Sequence, residues 1–232
     1  MKKANGYYNK NVLAKFADAL KTAIAEIKSG LINRVSISKG NTKMGEIASV
    51  STLPFITCPS RCAETCGAAC YAAKLANLRS NVLKSWARNT AIALYNPAEY
   101  WKQIDRAVKS VRFFRFHVSG DIMNANYFAH MVEIARNNPR TEILAFTKQY
   151  EIVNNWVSEN GEIPENLHIL FSGWTNLKPI NPYNFPETNI VEHGEKPHDS
   201  WKMCGGNCFE CAMNNCGCWN AKHGETIAFN KH

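Results

Sequence analysis

All nine cysteines of this 232-residue chain fall in two short stretches, four between Cys58 and Cys70 and five between Cys204 and Cys218. Cysteines used only as small buried hydrophobes would scatter through a core instead of segregating in this way. The start, Met1-Lys2-Lys3-Ala4-Asn5-Gly6, carries charge but no apolar segment behind it, unlike a secretory signal. No run approaches the length of a membrane span. Both features place the chain in a reducing cytoplasm, where structural disulfides are rare. An odd count also leaves one thiol over in any disulfide scheme. Metal ligation is the use of cysteine that fits.

The first set, Cys58, Cys62, Cys66 and Cys70, places a thiol at every fourth residue. On a straight helix the outer two would stand ~18 Å apart, too far for one tetrahedral ion. Pro59 and Gly67 favour a loop that curls around its metal. A cubane iron–sulfur cluster is larger than an ion and accepts three or four thiolates from such a loop. Zinc sites more often pair cysteines across two residues, and no such pair exists here. The second set, Cys204, Cys208, Cys211, Cys216 and Cys218, has gaps of three, two, four and one. Five thiols in so short a stretch form no core of their own and need metal to fold it. Four suit one centre, leaving the fifth spare or bridging toward the first set. Zinc is the alternative, more credible here because Cys208 and Cys211 resemble half a zinc knuckle.

Between the sets the hydrophobic pattern alternates between periods. It predicts a helix over 11–29, one or two strands over 34–51 with a turn at Gly40-Asn41, and a long helix over 71–94. Asn96-Pro97 reads as an N-cap with proline at the first helical position. A strand follows at 111–118, then a helix over 124–137, a strand at 142–147, a helix over 151–159 and a strand at 167–172. Strands alternating with helices mean βαβ units and a mainly parallel sheet. The units are too few for a full eight-stranded barrel, so the expected fold is α/β, a partial or open (β/α) barrel. The barrel domain would span 1–200, with a cysteine-rich metal module over 201–232. Residues 174–201 read as an irregular connection across the barrel mouth, with a short strand near 189–192 and a last strand at 226–229.

In αβ folds chemistry gathers at the carboxyl ends of the strands. The polar residues there are His117, Ser119, Gly120, Asp121 and Lys148, with Ser172-Gly173-Trp174 at a third strand end. Strict alternation puts Phe114, Phe116 and Val118 on the helix-facing side, and Arg115 and His117 on the inward side.

A formal charge of +8, from 27 basic and 19 acidic residues, is compatible with nucleic acid. It is equally compatible with a solvated surface, since metal-bound thiolates would cancel part of it. Trp174, Trp201 and Trp219 are candidates for base stacking.

Two resemblances follow from these residues. Cys58-Pro59, Cys70-Tyr71-Ala72, His117-Val118-Ser119-Gly120-Asp121, Ala145-Phe146-Thr147-Lys148, Cys218-Trp219 and Ile227-Ala228-Phe229 with His232 resemble an uncharacterised bacteriophage family called gene product eighty-eight. The order of a cysteine loop, helices, then a strand ending in Ser119-Gly120-Asp121 resembles radical S-adenosylmethionine enzymes. That resemblance implies one 4Fe-4S cluster in the 58–70 loop, held by Cys58, Cys62 and Cys66 or Cys70. It also implies S-adenosylmethionine contacted around Ser119 to Asp121, an auxiliary cluster at 204–218, and a nucleic acid, peptide or small molecule as target. The loop departs from that superfamily in having gaps of three throughout and a fourth cysteine. The competing expectations are a metal-stapled protein that binds nucleic acid and an electron carrier with two clusters.

Overall fold

The structure is a computed structural model that describes residues 6–231. The charged start at Met1–Asn5 and His232 lie outside the described residues, and with them the expectation about a secretory signal. Among the described residues no helix is long and apolar enough to cross a membrane.

One eight-stranded sheet organises the chain. Its strands are β1 (Ile37–Ser38), β2 (Ala48–Val50), β3 (Phe113–Phe116), β4 (Glu142–Thr147), β5 (Leu167–Ser172), β6 (Glu187–Val191), β7 (Lys202–Met203) and β8 (Thr226–Asn230). The order is β1-β2-β3-β4-β5-β6-β8-β7, and every pairing is parallel except β1 with β2. The sheet is therefore mostly parallel, as the βαβ rhythm predicts. Among the described residues it ends at β1 and β7, which are not paired with each other, so the sheet does not close into a barrel there. Residues 202–230 contribute β7 and β8 to this same sheet, with β8 lying between β6 and β7.

Central strands of a parallel sheet are covered on both faces and so read as near-continuous apolar runs. On one face Phe114, Phe116, Ile143, Ala145, Ile169 and Phe171 pack under α3 (Ser80–Tyr95), α4 (Pro97–Lys109), α5 (Ala125–Asn137) and α6 (Tyr150–Asn160). On the other face Phe113, Leu144, Leu170 and Ile227 meet Met44, Ile47, Ala212 and Trp219. That second layer comes from the β1–β2 connection and from the cysteine-rich segment, whose helix α7 spans Cys208–Met213. A third cluster packs α1 (Lys10–Lys28) against α2 (Tyr71–Leu78) and α3 through Phe16, Ala23, Ala73 and Leu83.

The helix starts follow their caps. Asn9 accepts the Val12 N–H, Asn124 accepts the Tyr127 N–H, and Asn96 accepts the Glu99 N–H with proline at the next position. The expected helix over 71–94 is broken at Arg79, whose backbone is extended (φ −120°, ψ 104°). The break leaves carbonyls of α2 unpaired, and the Lys15 ammonium takes the Asn77 carbonyl at 2.7 Å. No proline or glycine marks this break.

Candidate functional site

The chain between β2 and α2 carries the first cysteine set, and it is neither strand nor α-helix. Two 3-10 turns, Ser60–Cys62 and Gly67–Ala69, coil it. The Gly67 Cα approaches the Cys62 carbonyl so closely that a Cβ there would stand 2.7 Å from the oxygen, so only glycine permits the coil. The thiols then divide. Cys62 interacts with both Cys58 and Cys66, a series of three sulfurs, and Cys66 is also within electrostatic reach of Cys70. Cys70 instead caps α2, its sulfur accepting the Ala73 N–H at 3.4 Å. The contact with Cys58 and then burial push the Cys62 thiol well above its usual range, and the contact with Cys62 and then burial do the same for Cys66. Burial chiefly raises Cys70. The Lys148 charge opposes all three shifts, so it lies within electrostatic reach of the whole loop.

The second set is held by the sheet and by α7. The Cys204 N–H bonds to the Ala228 carbonyl at 2.8 Å, and the Cys208 N–H to the Lys43 carbonyl at 3.0 Å. Asn207 caps α7 through the Phe209 and Glu210 N–H groups. Cys218 is raised by burial and by the neighbouring thiols of Cys204, Cys208 and Cys211, while Arg115 pulls it down. Cys211 is pushed up to about 11 by burial and by its contact with Cys216. Cys216 is the exposed member of the five.

Both sets open onto one cavity of about 620 Å³ at the carboxyl ends of the parallel strands, and all nine cysteines line it. Tyr71 stands between the sets, within electrostatic reach of Cys70, Cys208 and Cys58. Half its surface is exposed, yet its hydroxyl turns inward onto the Val118 carbonyl. Among the described residues no three His, Cys, Asp or Glu side chains stand in a geometry ready to hold a single ion. The thiols border a volume, not a point. A group larger than an ion, taking three or more thiolates, suits that donor set.

His117, Ser119, Gly120, Asp121 and Lys148 also line the cavity. Most of their side-chain bonds, however, run into the protein. The Ser119 hydroxyl donates to the Thr52 carbonyl at 3.0 Å. The buried Asp121 carboxylate accepts the Thr147 hydroxyl at 2.6 Å, the Lys148 N–H at 2.9 Å and the Ile122 N–H at 2.8 Å. Burial pushes its pKa up against those three bonds. Lys148 donates from Nζ to the Ser172 hydroxyl at 2.7 Å. Thr147 and Ser172, both at strand ends marked in the sequence, complete this network with Thr52, Thr57 and Tyr150, which carry no motif that singles them out.

The expected faces of the 111–118 strand need correction. Regular pairing stops at Phe116, and His117 takes a left-handed backbone (φ 55°). That reversal breaks the alternation. His117 turns to the helix side, its Nε2 3.2 Å from the Tyr127 hydroxyl, while Val118 joins the cluster on the opposite face. Arg115 keeps its place on the inward face and stacks on Phe146, 4.6 Å from the ring centre. Trp219 is also corrected: it is buried against Phe113 and so offers no exposed stacking surface.

Fold and site together define an α/β protein that gathers two cysteine sets around one cavity beside a mostly parallel sheet. The family model described as Gene product 88 matches residues 14–222, and the chain belongs to that family. It is similar to the Gene 88 protein of Mycobacterium phage L5, 31% identical over 131 residues that cover 50% of this chain and 54% of that protein. The chain thus spans about half the length of that curated relative. No solved structure matches it.

Proposed function

We propose that this chain is an iron–sulfur protein whose two centres face a shared cavity, and that it works as a radical S-adenosylmethionine-like enzyme on a small molecule. One observation carries the reading: two distant cysteine sets line the same cavity, and the nearer set resolves into three sulfurs in series plus a fourth that caps a helix. Cys58, Cys62 and Cys66 would hold the first centre with one position left open. Cys204, Cys208, Cys211 and Cys218 would hold the second, with Cys216 outside it. The concave wall that such a cavity needs is that of a partial barrel.

When bound, an iron–sulfur centre supplies one-electron chemistry and, at an incompletely ligated iron, a position for donor atoms of a small molecule. The chain's own residues do the rest. The coil fixed at Gly67 orients the three thiols. The Lys148 and Arg115 charges favour the thiolate form at the first and second sets respectively, which ligation requires. Asp121 and Ser119 lock the ends of the strands beneath the loop, positioning it. Phe146, Trp174 and Phe229 line the cavity with apolar surface that would limit water around a bound small molecule.

The test is the content of iron, zinc and acid-labile sulfide in protein purified without oxygen, with its visible and paramagnetic spectra. The reading expects iron and sulfide for two clusters per chain, and a changed paramagnetic signal when S-adenosylmethionine meets the reduced protein. Zinc without sulfide would overturn it. Clusters that never respond to the cofactor would leave an electron carrier and sink the enzyme assignment.

A further inference from the structure

Arg115 projects from β3 into the cavity with its Nε buried, and among the described residues its guanidinium makes no hydrogen bond and no ion pair. A guanidinium cannot shed its proton, and a donor such as the buried Nε is costly to leave without a partner. Its flat face stacks on the Phe146 ring and its charge reaches Cys218 and Tyr71, while the donor edge of the fork holds no hydrogen bond among the described residues. Lys148 lies on the same cavity wall, near the Trp174 ring, with one of its donors engaged by Ser172. Among the described residues the lining includes a single carboxylate, Asp121, and that group already accepts three hydrogen bonds. Leu144, Ile190 and Phe229 add apolar surface beside these cations.

We infer that the cavity binds a small molecule with an oxyanion group, a carboxylate or a phosphate, on an apolar body. The oxyanion sits in the Arg115 fork with Lys148 as second cation, and the body lies against Phe146, Trp174 and Phe229. Planar bidentate donors match a carboxylate or phosphate edge and are poorly matched to a lone sulfur. The inference names the substrate class for the cavity read above as the working site, and so rests on that reading.

The experiment measures binding by calorimetry to the anaerobically reconstituted full chain. The probes are 3-phenylpropionate, phenyl phosphate and the neutral 3-phenylpropanamide, with iron and sulfide counted on every sample. Expected is binding of at least one anion, at least about tenfold tighter than the amide, and a loss of about ten- to a hundredfold in Arg115→Met. The preferred anion identifies the source of the oxyanion. Arg115→Lys and Lys148→Met should lose less, and they carry the test should Arg115→Met fail to fold by circular dichroism. Equal binding of amide and anions, or binding unchanged in the variants, overturns the inference. Iron lost from Arg115→Met with anion affinity intact also overturns it, because Arg115 would then serve a cluster. Failure of the iron–sulfur reading shows separately, in the metal and sulfide counts of the unmutated chain.

Discussion

The Asp121 carboxylate accepts the backbone N–H of Lys148 at 2.9 Å, tying the end of β3 to the end of β4. Through its own N–H, which the Thr57 hydroxyl accepts at 3.2 Å, the same residue reaches the turn that launches the first cysteine set. Asp121 therefore fixes where that loop sits relative to the sheet. Asp121→Asn should turn an amide N–H2 toward a donor it cannot accept from, and should cost about 1–3 kcal/mol. For a chain of this size that lowers the melting temperature by about 2–4 °C per kcal/mol. Thermal unfolding of the apo protein checks it, and an unchanged midpoint would show that the carboxylate does not hold the loop.

Gly120 makes the same junction possible. Its φ is +83°, and a Cβ would lie 2.0 Å from the Thr52 Oγ1 and 2.5 Å from the Thr57 Oγ1. Both threonines are buried and hydrogen-bonded to each other at 3.0 Å, so neither can swing away freely. Gly120→Ala should destabilise by about 2–4 kcal/mol, combining left-handed strain with overpacking. Adding Thr52→Ala should recover part of that loss, a coupling that denaturant midpoints of the single and double variants would expose. Strict additivity would mean the clash is relieved by backbone movement instead.

Much of this frame was legible in the sequence because it is local. β4 and β5 begin and end where the apolar runs do, and Asn96-Pro97 marks the start of α4. The site was legible only as an inventory of cysteines and of polar strand ends. That Cys58–Cys70 and Cys204–Cys218 share a cavity depends on β8 entering the sheet between β6 and β7, a long-range pairing with no local signal. The reversal at His117 was likewise hidden, since a positive φ is uncommon at any non-glycine residue, even at histidine, which adopts it more often than most. Strict alternation failed at that one residue, and Arg115 was left as the inward-facing cation.

The division of the first cysteine set yields a substitution series. Cys58→Ser, Cys62→Ser and Cys66→Ser should each remove the iron of one centre, because each deletes one of the three sulfurs in series. Cys70→Ser should keep that iron, since serine also accepts the Ala73 N–H and preserves the cap. Cys216→Ser should keep the second centre, because Cys218 lies among Cys204, Cys208 and Cys211 without it. Iron and sulfide per chain, counted after anaerobic reconstitution, decide the matter. Loss of iron in Cys70→Ser would place the fourth thiol in the ligand set and close the open position.

His117 makes stability depend on acid. Burial, and secondarily the nearby Arg115 charge, lower its pKa from the ordinary 6.5 to about 3. Its Nε2 meets the Tyr127 hydroxyl, while its Nδ1 is buried without a partner, so no acceptor awaits a second proton. In the unfolded chain the imidazole gains its proton near its ordinary pKa, whereas the folded chain keeps it neutral until far lower pH. The unfolded state therefore binds more protons between these two values, and stability falls as pH drops through that window. Above the window both states are neutral and His117 adds no slope. Between pH 7 and pH 5 the loss from this one group should be about 2 kcal/mol. His117→Gln, which cannot titrate, should show a correspondingly shallower loss when apo protein is unfolded with urea at each pH. Parallel curves for the two proteins would mean that His117 can be charged in place, and that its ring has an acceptor or water on Nδ1.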